Sequence, residues 1–353
     1  MRRPGVKLKN RVVVITGASS GIGRATAVAC ARRGAHVVLA ARSTRELDRV
    51  ARRCRRAGGQ ALAVPTDVTD PAAVTALAAA ATARFGRIDV WANVAGVGIL
   101  GRFDQTPPEE LRRLLDVNVL GAVNGARAAV PVMRRQGEGI LIDVASLLGA
   151  VVQAPYMSGY AMSKAALVTF GEGLRAELAL MGADGIRVCT VLPAGVDTPF
   201  FRHAANHTGR ELRSLPPVAT PERVARALVS AMRRPRPRLL VGPYARSLAA
   251  AHTLAPGPTR RALAWRTEHA YLGPAGTAPD APGTLHAPSG RSAAVHGGRH
   301  SGPRTAARRT AAAAAAGCAL LLGARAAARR RCGAGHAQAV RTGLSVPPGP
   351  HAV

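Results

Sequence analysis

Between residues 11 and 242 the chain alternates two hydrophobic patterns. Short apolar runs, rich in β-branched residues, occur at 11–16 (RVVVIT), 36–41 (HVVLAA), 61–66 (ALAVPT), 88–93 (IDVWAN), 140–146 (ILIDVAS), 187–193 (RVCTVLP) and 238–242 (RLLVG). Between them, apolar residues recur with helical spacing near 22–33, 44–57, 71–85, 108–135, 157–181 and 221–233. Strands that are apolar throughout, separated by amphipathic helices, predict β-α-β units and a mostly parallel sheet covered on both faces. Seven such strands predict a large open α/β sheet with right-handed crossovers.

Past residue 242 the pattern weakens. Residues 243–272 have helical character interrupted by PGP at 256–258, and beyond 272 the chain turns to Pro, Gly, Ala, His and Arg, with ten arginines and one acid, Asp280. Such a composition offers too little apolar periodicity to offset its ordering entropy. The expected organisation is one domain over 1–272, with its core at about 8–242, and a disordered basic tail over 273–353. The apolar segment at 311–324 has 14 residues, short of the roughly 20 that span a bilayer. An unstructured stretch or marginal helix is expected there, with membrane contact the lesser alternative.

The net charge of +30 would ordinarily suggest a nucleic-acid partner. Two features argue against one. The chain has three lysines, Lys7, Lys9 and Lys164, among 49 basic residues, so arginine is its default cation. Aromatics make up 3% of residues and none lies in the tail, which leaves no stacking platform for single strands. A lysine retained at 164, four residues after Tyr160, points to a need for a compact ammonium. The five cysteines, odd in number and without a C-x-x-C pair, are expected to be reduced structural thiols. MRRPGVKLKN leads into a strand without a signal-peptide core, so a cytoplasmic location is expected.

The first strand runs into a glycine turn, Thr16, Gly17, Ala18, Ser19, Ser20, Gly21, Ile22, Gly23, which opens a helix. Glycine lets the backbone turn sharply and approach a pyrophosphate, whose charge then lies at the helix N-terminus. A tight strand-to-helix turn is the alternative reading. With this turn in the first β-α-β unit, the fold expected is the doubly wound Rossmann type.

TGASSGIG resembles the glycine motif of the short-chain dehydrogenase/reductase family, and further motifs follow in that family's order. Asp67 and Val68 in TDV resemble its adenine-contacting site. Asn93, Ala95 and Gly96 in NVAG resemble N-N-A-G, with Val94 in place of the second asparagine. Asn118 in DVNVLG resembles the active-site asparagine, and Ser146 with Tyr160 and Lys164 in Y-x-x-x-K the catalytic set. Pro193, Gly195, Val196 and Thr198 resemble P-G-x-V-x-T, although Ala194 holds the usual glycine place. The resemblance covers about residues 8–242. It implies an NAD(P)-dependent oxidoreductase that moves a hydride between NADP(H) and a carbonyl or secondary alcohol. By the same resemblance Tyr160 is the general acid/base, Ser146 bonds the substrate oxygen, Lys164 holds the nicotinamide ribose, Asn118 a relay water and Thr198 the carboxamide. It also implies a homodimer or homotetramer paired through the helices of the asparagine and the tyrosine.

The second strand ends in Arg42 and Ser43 rather than an acid. A guanidinium suits a 2′-phosphate, so NADP(H) is the expected preference, with NAD(H) the alternative. Phe200 and Phe201, within a stretch (199–217) expected to be a lid, are compatible with an apolar substrate or with packing. His203 and His207 have no evident third partner, so no metal is expected. Tyr156, Tyr160 and Lys164 share one face if a single helix carries all three. The rival reading is a catalytically silent dinucleotide-binding module working through its basic tail on a membrane or nucleic acid. The intact Tyr160–Lys164 pair favours the enzyme.

Overall fold

The computed structural model describes residues 7–213, 218–289 and 294–298. The seven expected strands form one parallel sheet: β1 (Val12–Thr16), β2 (His36–Ala41), β3 (Ala61–Pro65), β4 (Val90–Asn93), β5 (Gly139–Val144), β6 (Ile186–Pro193) and β7 (Arg238–Val241). Their spatial order is β7-β6-β5-β4-β1-β2-β3. The order reverses beside β1, and such a switch point opens a crevice at the carboxyl ends of the strands. Register is in step across the centre, Val13 facing Val37 on one side and Val90 on the other.

β1 is buried along its whole length, as a strand covered on both faces must be. Alternate side chains divide between two cores. Val13 and Ile15 pack with helices α1 (Gly21–Ala31), α2 (Thr44–Arg56) and, later in the chain, Pro221–Arg233. Val12 and Val14 pack with α3 (Pro71–Phe85) and the helices that follow β4. Local signals set the ends of α3. The Asp70 side chain accepts from the Ala72 N–H at 2.8 Å, Pro71 occupies the first turn, and Gly86 closes the helix at φ +78°.

The single helical pattern at 108–135 is three elements. α4 (Pro108–Leu115) and α5 (Gly121–Gln136) flank a π-helical stretch, Asp116–Leu120, which carries Asn118. α6 (Ser158–Leu180) carries Tyr160 and Lys164, and α7 is Pro221–Arg233. Leu120 and Met162 are exposed on the helical segments next to Asn118 and Tyr160. The PGP at 256–258 marks a helix start: α8 (Ala245–Leu254) ends before it and α9 (Pro256–Arg266) begins on it.

The expected tail boundary at 272/273 falls inside a strand, Leu272–Ala275, which pairs antiparallel with Arg210–Leu212. Residues 281–289 and 294–298 also lie on the body, with Leu285 fully buried among apolar side chains. The expectation of an unstructured tail therefore fails for these segments, because one leucine and a series of backbone hydrogen bonds anchor them. The 311–324 segment, Cys318 and Cys332 lie outside the described residues. Among the described residues no helix is long and apolar enough to cross a membrane. Cys30, Cys54 and Cys189 are free and buried, and burial pushes their thiols up to about 12, 12 and 11.

Candidate active site

At the switch point the glycine turn holds its shape through close approach. Gly17 has φ +66°, and a side chain there would put Cβ 2.7 Å from the Ala95 Cα. A Cβ on Gly23 would run into the Gly17 carbonyl, so α1 starts tight against the end of β1. Around this turn lies a groove enclosing about 220 Å³, with walls from Gly17, Ser19–Gly23, Arg42, Ser43, Asp67, Val68, Ala95, Gly96 and Thr198. Of the expected contact residues, Tyr160, Lys164, Pro193, Gly195 and Val196 line an adjoining cavity instead, and Thr16 and Asn93 lie behind the wall. The Thr16 hydroxyl accepts the Val94 and Ala95 N–H groups at 3.0 and 3.2 Å, beneath the loop. Asn93 is buried, accepting from the Trp91 indole at 2.8 Å and donating to Asp143 at 2.8 Å and the Ala122 carbonyl at 3.2 Å. Both brace the groove wall from behind.

At the far end of the groove, Arg42 donates to three consecutive carbonyls: Thr284 at 2.6 Å, Leu285 at 3.1 Å and His286 at 3.0 Å. Burial lowers its guanidinium from the ordinary arginine value. Ser43 caps α2, accepting from the Glu46 N–H. Asp67 accepts from Thr69 and from Arg113, the latter at 2.8 Å. Burial pushes its carboxyl up, but the Thr69 amide and Arg113 outweigh that, and the net shift is downward. Arg113 escaped the sequence reading because a helical arginine carries no motif. Only the packing of α4 against the β3–α3 loop reveals it.

Tyr160 and Lys164 come together one helical turn apart in α6. The ammonium is buried, donates to the Val144 carbonyl at 3.0 Å and lies 5.7 Å from the centre of the Tyr160 ring. Burial lowers it to about 8, while the Asp143 carboxylate works against that fall. Burial likewise pushes the Tyr160 phenol up to about 12, opposed by a hydrogen bond from Ser146. Ser146 stands just past the end of β5. Its hydroxyl also accepts from the Leu148 N–H at 3.1 Å, and Ser158 is exposed at the start of α6. Asn118 is buried, with its amide oxygen on the Val97 N–H at 2.8 Å and its nitrogen donating to the Val97 carbonyl and Ser163, both at 3.0 Å. A Cβ on Gly96 would stand 3.3 Å from both the Asn118 oxygen and the Lys164 nitrogen, so glycine there makes room for the two to converge.

Tyr156 is not on that helix. It adopts φ +64° two residues before Ser158, and its hydroxyl donates to Glu268 at 2.6 Å. The shared face expected for three residues is therefore shared by Tyr160 and Lys164 alone. The expected lid is also more ordered than its sequence suggests. Phe200–His203 forms a helical turn, and Ala205–His207 pairs parallel with Ile99–Gly101. Ser214–Pro217 lies outside the described residues. His207 binds Glu110 at 2.7 Å, while His203 faces the groove.

A second cavity of about 270 Å³ adjoins the groove across Ile22, Val94, Gly96, Thr198 and Phe200. Pro193, Gly195, Val196 and Thr198 line it together with Ser146, Tyr160 and Lys164. Leu147, Leu148, Met157, Phe200 and Phe201 make its apolar walls, and Leu248, Leu263, Thr267 and Tyr271 close it from beyond the expected core. Lys164 is the only charged side chain on its walls among the described residues. Over the closing segment, Glu268 takes the Tyr156 hydroxyl on one oxygen and Arg210 on the other at 2.5 Å.

Residues 11–208 match the family model for short chain dehydrogenases. The chain is 37% identical over 264 residues to an uncharacterized oxidoreductase of Bacillus subtilis, YxnA, covering 73% of this chain and 72% of that one. A Burkholderia phymatum short chain dehydrogenase/reductase solved with NAD superposes with a TM-score of 0.64 at 28% identity, over 72% of this chain and 97% of the other. An alcohol dehydrogenase of Thermococcus sibiricus, solved with 5-hydroxy-NADP, gives 0.57 at 27% identity, over 65% and 95%.

Proposed function

This chain belongs to the short-chain dehydrogenase family, and from that premise we propose that it reduces an apolar ketone or aldehyde, or oxidises the matching alcohol, with NADP(H) preferred over NAD(H). The single observation that carries this reading is the place of Tyr160. It lines the apolar cavity, which adjoins the glycine-turn groove across Gly96 and Thr198, with Ser146 and Lys164 on the same wall.

The groove fits a nicotinamide dinucleotide. Glycine stands where a side chain would intrude, the α1 N-terminus faces the space, and β2 ends in a guanidinium instead of a carboxylate that would repel a 2′-phosphate. Gly17, Ser19, Ser20, Gly21, Ile22 and Gly23 would hold its pyrophosphate side, Arg42, Ser43, Asp67 and Val68 its adenosine, and Ala95, Gly96, Pro193, Gly195, Val196 and Thr198 its nicotinamide side. A bound nicotinamide supplies or receives the hydride. Tyr160 gives its hydroxyl proton to the carbonyl oxygen in reduction and takes it back in oxidation. Ser146 bonds that same oxygen and orients it. The Lys164 ammonium favours the phenolate, offsetting the burial that holds the phenol near 12. Asn118 fixes the Val97 backbone behind the lysine. The neighbours were solved with NAD in one case and an NADP derivative in the other, so the preference for NADP(H) rests on Arg42.

The test is a panel of apolar ketones, aldehydes and secondary alcohols, followed by nicotinamide absorbance. Tyr160→Phe should cut turnover by about 10³-fold while NADPH binding stays within about twofold. Turnover retained by the phenylalanine variant would reject the assignment.

A further inference from the structure

We propose that residues 281–289 and 294–298 form a strap completing the dinucleotide groove, and that its Thr284, Leu285 and His286 carbonyls position Arg42 for a cofactor 2′-phosphate. The proposal rests on the reading that the groove takes a nicotinamide dinucleotide. It assigns a task to a stretch with no recognised motif, about 40 residues beyond the last strand of the core.

The strap is built into the body at several points. Ala281 exchanges backbone hydrogen bonds with Asn206, at 2.8 and 3.1 Å. The Thr284 N–H and hydroxyl both donate to the His203 carbonyl, at 2.8 and 3.1 Å. Leu285 is fully buried in the same apolar cluster as Val68, Val97, Leu114 and Val117. Farther on, the Gly21 N–H of the glycine turn donates to the Ala294 carbonyl at 3.0 Å, and Gly297 donates to the Asp197 carbonyl at 3.1 Å. Glycine is needed at both ends. At Gly283, φ is +57° and a Cβ would overlap the backbone of His203 and Ala204. At Gly297 a Cβ would lie 2.5 Å from the Thr198 carbonyl.

The chemistry at Arg42 gives the strap its role. Three carbonyls from consecutive residues converge on one guanidinium, which a straight strand could not arrange because successive carbonyls alternate in direction. The turn at Gly283–Thr284, closed by the Leu285 N–H on the Pro282 carbonyl, makes the convergence possible. These bonds use three of the five guanidinium N–H groups. All three partners are neutral, so the positive charge remains uncompensated by them. Asp67, the acid whose field Arg42 feels most, is itself paired to Arg113, and Arg113 donates in turn to the Leu285 carbonyl at 3.2 Å. The strap also walls the cavity rather than filling it: Thr284, Pro288 and Ser289 face the same space as Gly17, Ser19 and Arg42. An arginine held by neutral acceptors at the rim of a cavity, with donors to spare, is set for an anion.

The test uses the full-length protein and direct binding of NADPH and NADH, followed by fluorescence titration. Wild type should bind NADPH at least tenfold more tightly than NADH. Gly283→Val, which pushes the strap off the body, should reduce that ratio at least fivefold, chiefly by weakening NADPH. Leu285→Ala, a milder change checked for folding by its melting temperature, should reduce it about two- to threefold. If both variants keep the wild-type ratio, the strap does not position Arg42, although the cofactor reading stands. If either variant binds NADPH more tightly, the strap competes with the cofactor and the proposal is overturned. If wild type binds neither dinucleotide, or prefers NADH, the failure lies with the cofactor reading itself.

Discussion

The two adjoining cavities differ in chemistry and in how their walls are encoded. The groove at the glycine turn is framed by the glycine-turn backbone, hydroxyls, Glu46, Asp67 and one arginine, Arg42, whereas the second cavity is lined mostly by carbon. They share Ile22, Val94, Gly96, Thr198 and Phe200, so a reactant on either side faces the same few residues. Each also borrows a wall from beyond residue 244: Thr284, Pro288 and Ser289 for the groove, Leu248, Leu263, Thr267 and Tyr271 for the apolar cavity. The family model ends at residue 208, so these borrowed walls lie outside it, where selectivity for cofactor and substrate can vary without touching the chemistry.

The polar side of the comparison is the easiest to break. Arg42→Asp replaces a phosphate-binding fork by a carboxylate that repels the 2′-phosphate and accepts from a ribose hydroxyl. NADPH affinity should fall by about 100-fold, as expected for losing a charge-assisted bidentate contact and adding repulsion, while NADH affinity changes by less than about threefold. Titration of both dinucleotides checks this, and equal losses would contradict the assignment.

Below the junction, Asp143 is fully buried, and burial pushes its carboxyl up to about 6. Above that pH it is ionised and favours the Lys164 ammonium, partly offsetting the burial that brings it down to about 8. Asp143→Asn removes that support, so Lys164 should lose its proton at lower pH than in wild type. The descending alkaline limb of the carbonyl-reduction profile should therefore move toward acid. A limb that stays in place would mean that Lys164 does not set it.

The smallest effect is expected on the apolar side. Tyr156→Phe removes one hydrogen bond to Glu268 from the segment that closes the cavity, worth about 1 kcal/mol. KM for the carbonyl substrate should rise several-fold, with kcat nearly unchanged and cofactor affinity unaffected. Steady-state kinetics separates the two, and a collapse of kcat would move Tyr156 into the catalytic group.

Much of this molecule is written in local pattern. The seven strands, the intervening helices and the parallel sheet follow from β-branched runs that are apolar throughout, because a strand buried on both faces admits little else. The glycine turn and the Tyr160–Lys164 spacing are equally local, since glycine alone permits the Gly17–Ala95 approach and one helical turn brings residues four apart together. What the pattern could not reveal is set by long-range contacts. Thr16 and Asn93 turned out to brace the groove from behind, because burial depends on what packs over a strand end. Tyr156 left the helix because the turn after Pro155 places it at φ +64°, where Glu268, 112 residues later, receives its hydroxyl. Arg113 and the strap carry no periodicity at all. Single anchors such as Leu285 and backbone hydrogen bonds to distant residues place them, and those partners are chosen only when the chain is folded.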